Sequence, residues 1–403
     1  YANDNITTLN AGTMYALTSD ESEYSMISYL GRINYVYDNR YMLTTTLRSD
    51  GSSRFGRNKK WGTFPSVSLG WRISQEKFMQ GVKQISDLKI RASFGISGNN
   101  RIGNYSAIGL LSTGFYPTGD AVQNTVNPNT MPNDDLGWER TRQYNVGFEL
   151  GLFNNRIRLE GDFYDSRSID LLLNVPIPTI TGYSSQMQNI GKVQNRGMEF
   201  TLNTKNFTGR DFTWSSNFNI SFNKNKVLEV GVDGRPIYGS AANANNAFIT
   251  KPGYPIASFY GYKYLGVFQS EEELAKYPHL SGDKVGDGHY EDVNKDGKLD
   301  QNDKTILGDN NPLFTAGFSN SFRYKNFTLD VQFTGSYGAE VFSFYKRMCG
   351  IYHGDRNGLI EQLGRWQSKD QPGDGIHFRP TRTPSGWQRD PSSAWVQDAS
   401  YLR

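Results

Sequence analysis

From Asp211 to Lys224 the chain reads DFTWSSNFNISFNK, in which Phe212, Trp214, Phe218, Ile220 and Phe222 are set against Thr213, Ser215, Asn217, Asn219 and Ser221. Successive side chains of an extended strand point to opposite faces, so a two-residue period writes a sheet with one oily and one polar side. The period returns at approximately 25–37, 40–50, 62–75, 86–97, 141–153, 156–171, 194–206, 313–324 and 327–337, with an eleventh run opening near 397. Such segments are about as long as the 9–11 residues a tilted strand needs to cross a bilayer.

Composition decides what the oily side meets. Apolar residues make up 36% of the chain and mean hydropathy is −0.61, whereas ordinary soluble domains reach roughly 45–50% apolar. No apolar run approaches the length of about 18 residues that a membrane helix requires. A barrel with a wet inward face accounts for the shortfall, and the 14% aromatic share, with 24 Tyr and 24 Phe, suits aromatic girdles at two interfaces. On composition alone, a Tyr-rich soluble sandwich is the competing reading.

The connections alternate in length. Tight turns are expected at Asp38-Asn39, Asn154-Asn155, Asn206 to Arg210 and Lys325-Asn326, residues that tolerate turn geometry. Gly/Asn/Asp/Pro-rich excursions occupy 98–140, 172–193, 225–312 and 338–396, and 76–86 reads as a helical turn on the short-turn side. Short turns at one end and long loops at the other describe an up-and-down transmembrane β-barrel, with the long loops outside the cell. Val67, Leu69, Trp71, Ile73, Tyr144, Val146, Phe148, Leu150, Met198, Phe200, Leu202, Phe327, Leu329, Val331 and Phe333 should face lipid. Ser68, Arg72, Glu149, Glu199, Thr201, Asp330 and Gln332 should face the lumen.

Net charge is +3 and is spread along the chain, so it implies neither nucleic acid nor an anionic surface as partner. Cys349 stands alone, which excludes an internal disulfide framework and a Cys-based zinc site. His279, His289, His353 and His377 lack metal-ligand spacing and read as satisfied or solvated side chains. The chain begins at Tyr1 and ends at Arg403 just as a strand opens, so it reads as cut at both ends.

Residues 292–303 (DVNKDGKLDQND) follow the calcium-loop spacing: Asp292, Asn294, Asp296, Asp300 and Asp303 at positions 1, 3, 5, 9 and 12, Gly297 at 6, and the Lys298 carbonyl at 7. Calcium is the expected ion. Asp303 stands where a bidentate Glu is usual, and the flanks do not form a helix–loop–helix hand, so an Asp/Asn/Gly-rich turn is the competing reading. Glu160, Asp162 and Asp165 offer carboxylates of the kind glycoside hydrolysis needs, but Glu160 and Asp162 share a face and alternate with Leu159, Gly161 and Phe163, which makes them lumen residues rather than catalysts. Tyr345, Tyr352, Trp366, Trp387 and Trp395 crowd the last excursion, where loop packing is favoured over stacking on sugars.

Several stretches together resemble the SusC/RagA family of TonB-dependent outer-membrane transporters. They are RSDGSSRFG (48–56), WGTFPSVSLGWR (61–72), LKIRASFGISGN (88–99), LGWERTRQYNVG (136–147), DLLL (170–173), NIGKVQNRGME (189–199), DVNKDGKLDQNDKTILG (292–308) and DASYLR (398–403). The resemblance implies a non-enzymatic 22-stranded barrel enclosing a plug, a SusD-like surface lipoprotein as partner, and uptake of oligosaccharides or peptides driven by the TonB complex. It casts 1–403 as a partial barrel domain, with 225–312 as a long extracellular loop carrying the 292–303 motif and with plug, TonB box and terminal strands absent. A secreted carbohydrate-binding or carbohydrate-active β-protein with a dockerin-like calcium loop is the rival expectation, and a barrel that only anchors or adheres is a third.

Overall fold

The computed structural model describes residues 21–119, 121–183, 185–231, 234–241, 244–350, 357–380 and 390–403. Eleven strands form one antiparallel sheet in chain order. They are β1 (Met26–Tyr37), β2 (Tyr41–Ser52), β3 (Trp61–Arg72), β4 (Ile85–Asn99), β5 (Glu139–Leu152), β6 (Ile157–Ile169), β7 (Lys192–Thr208), β8 (Phe212–Glu229), β9 (Phe314–Tyr324), β10 (Phe327–Tyr337) and β11 (Tyr401–Leu402).

Register fixes the two faces. Leu88, Leu150, Leu159, Leu202, Phe218, Phe318 and Phe333 lie opposite one another from β4 to β10. One residue along, the row reads Lys89, Glu149, Glu160, Thr201, Asn219, Gly317 and Thr334. Rows of opposite character on neighbouring positions are the two sides of one pleated wall, apolar toward lipid and polar toward a lumen. The 11 residues of β10, at about 3.4 Å each and a tilt of about 40°, rise roughly 25–30 Å, enough for the apolar band of a barrel. Lipid-side aromatics gather at both ends. Tyr29 stacks on Trp61 and Phe314 meets Tyr337 at the long-connection end, while Tyr37 stacks on Tyr41 and Trp214 on Phe322 at the other.

The short turns use left-handed backbone at polar positions. Asp38 and Asn39 both have φ of 51°, and Asn154 and Asn155 have φ of 58° and 57°; short polar side chains suffer least there. The connection over 73–84 holds two 3₁₀ turns, Ile73–Gln75 and, within the expected 76–86, Lys77–Met79, between which Glu76 accepts from the Tyr41 hydroxyl (2.6 Å), the Trp71 indole (3.0 Å) and the Arg40 guanidinium (3.2 Å). The Tyr41 hydrogen bond, with the other two, holds its carboxyl below the usual range.

Three expectations are revised. β3 ends at Arg72 and not 75, because the chain turns into a 3₁₀ helix there. β8 runs on to Glu229, five residues past the expected 224. The alternating run near 397 is a strand, Val396–Asp398, but it pairs with Glu340–Phe342 in a separate ribbon, and the eleventh wall strand is Tyr401–Leu402 beside β10.

Buried hydrophobic clusters sit at the long-connection end. Phe55, Phe64, Ile102, Ala107, Leu136 and Trp138 tie the β2–β3 connection to the 98–140 excursion. Val193, Val227 and Val230 form a second cluster. Phe259, Val267, Phe342, Phe378 and Trp395 join the 225–312 and 338–396 excursions in a third, with Ala244 and Ala247. The excursions therefore carry their own short sheets, Ile237–Ala241, Ala244–Thr250, Ser258–Gly261 and Thr305–Gly308 among them.

Candidate binding surfaces: lumen wall and loop unit

The lumen wall divides in two. Across β4 to β6 it carries ion pairs: Lys89 Nζ reaches Glu149 at 3.1 Å, Arg158 reaches Glu149 at 3.7 Å and Glu160 at 3.4 Å, and Arg91 pairs with Asp162. Glu149 and Glu160 stand directly opposite, a repulsive placement that Lys89 and Arg158 offset. Asp165 is taken by Arg167 at 3.0 Å and by the Gln194 amide at 2.7 Å. Glu160 and Asp162 are thus each matched to an arginine on the lumen face, whereas Asp165, opposite Tyr144, lies on the other face of β6 near its long-connection end, where Arg167 and Gln194 hold it. Across β7 to β10 the wall changes to amides and hydroxyls. Asn217 donates to Asn203 at 2.6 Å, Asn225 to Asn195 at 2.9 Å and Ser221 to Glu199 at 3.3 Å.

The acidic loop lies in the loop unit, where Asx turns shape it. Asn294 Oδ1 accepts from Asp296 N–H and Asp296 Oδ1 from Lys298 N–H, both at 2.9 Å. Asp292 Oδ2 accepts from Gly297 N–H at 2.9 Å, and Gly297 has φ of 80°. Positions 1, 3, 5, 6 and 7 of the motif therefore wrap as the spacing predicts. Asp300 and Asp303 do something the spacing does not reveal: they cap the 3₁₀ turn Gln301–Asp303 reciprocally. The Asp303 carboxylate, fully buried, accepts from Val293 N–H (3.0 Å), Asn294 N–H (3.4 Å) and Asp300 N–H (2.8 Å). Among the described residues no three His, Cys, Asp or Glu side chains converge to cage an ion. A carboxylate has about four lone-pair sites, so Asp303 retains acceptor capacity alongside these bonds.

Of the aromatic residues singled out, Trp395 is buried in the joint core and Trp366 packs against it, while Tyr345 is exposed. The two tryptophans serve packing. Tyr352, Trp387 and His353 lie outside the described residues. His377 is bonded through Nδ1 to Asp374. Burial pushes the His289 imidazole below its ordinary value; its ring lies 4.6 Å from that of Phe268 and 4.9 Å from that of Tyr277. Periodicity gives no hint of that stack.

Strands of spanning length, an apolar belt between aromatic rows and a polar inner wall define an outer-membrane β-barrel protein. The family description "TonB dependent receptor-like, beta-barrel" matches residues 1–277. TonB-dependent receptor P3 of Formosa agariphila is 36% identical over 96% of this chain, and TonB-dependent receptor SusC of Bacteroides thetaiotaomicron is 35% identical over 81%. The alignments cover 39% and 32% of those relatives, so the chain spans well under half their length. The solved structure of the RagAB peptide transporter superposes over all of this chain and 43% of its own, with a TM-score of 0.81 and 27% identity. The chain belongs to the TonB-dependent receptor family, among its SusC/RagA-like members, and is a multi-pass barrel of the outer membrane. That membership sets aside a secreted carbohydrate-active protein.

Proposed function

We propose that this chain is barrel wall and loop unit of an importer that works with a SusD-like surface lipoprotein and is energised through TonB. The carrying observation is the superposition of the whole chain on the RagAB peptide transporter, together with a lumen wall rich in amides and hydroxyls. Oligosaccharides and peptides are both fitting cargoes, and no residue is assigned a covalent step. Its lumen carboxylates Glu160 and Asp162 are matched to arginines, which suits passage more than catalysis. The long connections face outward, where a lipoprotein lid would meet the joint loop unit. Pull-down of the full-length protein in mild detergent is expected to bring a SusD-like lipoprotein with it, and cells without TonB are expected to lose uptake of the cargo. A protein isolated alone, with uptake indifferent to TonB, overturns this reading.

A second element is calcium at 292–303. Asp292, Asn294 and Asp296, the Lys298 carbonyl, Asp300 and Asp303 would supply oxygen ligands, and the wrap of positions 1 to 7 supports it. The capping role of Asp303 implies weak binding, of the order of 10⁻⁴–10⁻³ M as in extracellular modules. Calorimetry of the full-length protein with millimolar calcium should yield heat that Asp292→Ala/Asp296→Ala abolishes. Absence of heat in the unaltered protein leaves an Asp/Asn/Gly turn.

A further inference from the structure

The last long excursion is stitched onto the 225–312 excursion along a line of backbone contacts. Tyr262 N–H donates to the Pro391 carbonyl and Ser393 N–H to the Tyr262 carbonyl, each at 3.0 Å, forming a parallel bridge. Tyr264 N–H donates to the Ser393 hydroxyl at 2.9 Å, Val267 N–H to the Gly375 carbonyl at 3.0 Å, and Arg379 N–H to the Gly286 carbonyl at 2.9 Å. The strands approach so closely that a Cβ at Gly261 would fall 2.1 Å from the Pro391 oxygen. Arg379 also grips the buried Asp287 carboxylate with two bonds, 2.7 and 3.0 Å, the bidentate geometry that gives such pairs their orientation.

The bridge residue Tyr262 is also where the acidic loop makes contact. Its buried ring packs with Tyr290 and with Leu299 of that loop, and the Lys304 ammonium lies 5.0 Å above it. The same ammonium reaches to 3.8 Å from Asp390, next to Pro391. Asp303, immediately before Lys304, locks the loop by its three N–H acceptor bonds. One continuous set of contacts thus runs from Asp303 through Leu299 and Lys304 to Tyr262, and from Tyr262 to 391–393.

We infer that residues 357–380 and 390–398, in and just after the last excursion, are a strap seated on the 225–312 unit. Tyr262 is the positioning residue through which the 292–303 loop sets that seat. Strap and unit then open as one cooperative body, whether or not the loop takes calcium. A parallel bridge of two hydrogen bonds is too small to hold two long loops alone. It persists beside the joint core of Phe259, Phe342, Phe378 and Trp395 because the ring beneath it is also clamped from the loop side, and contacts that share such a clamp open together.

Hydrogen exchange on the full-length protein in chelator separates the strap from the calcium reading. In Asp303→Asn, the amides of Tyr262, Tyr264, Val267, Arg379 and Ser393 should exchange about tenfold faster or more, by a common factor, while β4–β10 amides stay unchanged. Acceleration confined to 292–303 overturns the inference. Should Asp303→Asn unfold the loop unit outright, Arg379→Gln approaches from the strap side. A shared acceleration of Tyr262, Val267 and Ser393 is then expected, and acceleration of the 370–380 segment alone overturns it.

Discussion

Thr201 lies between Glu160 and Asn219 across the sheet, and its chain neighbour Leu202 between Leu159 and Phe218; this one-residue difference sets what a substitution costs. Phe218→Arg should destabilise the barrel by roughly 2–4 kcal/mol near the bilayer midplane, whereas Asn219→Arg should cost about 1 kcal/mol or less. Denaturant unfolding of the full-length protein in vesicles measures both, and equal costs would contradict the assigned faces. His289 yields a pH prediction. Burial lowers its folded-state pKa, with Glu273 opposing, so the unfolded chain takes up the proton first. Its contribution is full above the unfolded value of about 6.5 and is lost as pH falls through that value toward the folded one. His289→Phe should retain the stack on Phe268 and flatten the loss of loop-unit stability between pH 7.5 and 5.5, followed by thermal melting. An unchanged pH slope in the variant would remove His289 as its source. At this scale the turns at Asp292, Asn294 and Asp296 were legible from their Asp/Asn/Gly spacing, while the cap role of Asp303 was not, since it depends on which backbone N–H groups the folded loop presents.

Among the elements, the wall strands were readable because each carries its own period over many residues and pairs with its chain neighbour. The loop unit was not. Glu340–Phe342 and Val396–Asp398 are too short for a period to tell a loop ribbon from a wall strand, and each finds its partner across the whole last excursion. The alternation near 397 predicts a wall strand for that reason: apolar–polar alternation marks an outer ribbon and a spanning strand alike. Turns were easier, since Asn and Asp announce left-handed backbone. Asn39→Val should therefore cost about 1–2 kcal/mol, the penalty for a β-branched side chain at positive φ, while Asn39→Gly should be near neutral. Chemical unfolding of the two variants side by side tests this, and a harmless valine would mean the turn can change type.

For the molecule as a whole, the asymmetry between short turns and the stitched loop unit predicts its orientation. Cysteine placed at Asn154 or Lys325 of the full-length protein should resist an impermeant thiol reagent on intact cells, and cysteine at exposed Ile360 should react. The reverse pattern would invert the barrel. Fold class, strand order and faces were all legible from one alternation rule, because the wall has to satisfy lipid and water at once. The joint core of Phe259, Phe342, Phe378 and Trp395 was not, because it is assembled from residues far apart in the chain. The register also constrains the lineage of this chain. An insertion of one codon inside β7 would exchange inside for outside in the rest of that strand, up to the next turn, unless a second insertion restored it. Length changes in such a wall should survive in pairs, or where a strand can swallow a single residue. The chain has such places: register shifts at Lys192/Val193 and Lys205/Phe207 lie near the two ends of β7, and a third lies at Ile85/Asp87 where β4 begins. Relatives should differ in length at these rims and in the excursions, and between them by even numbers of residues.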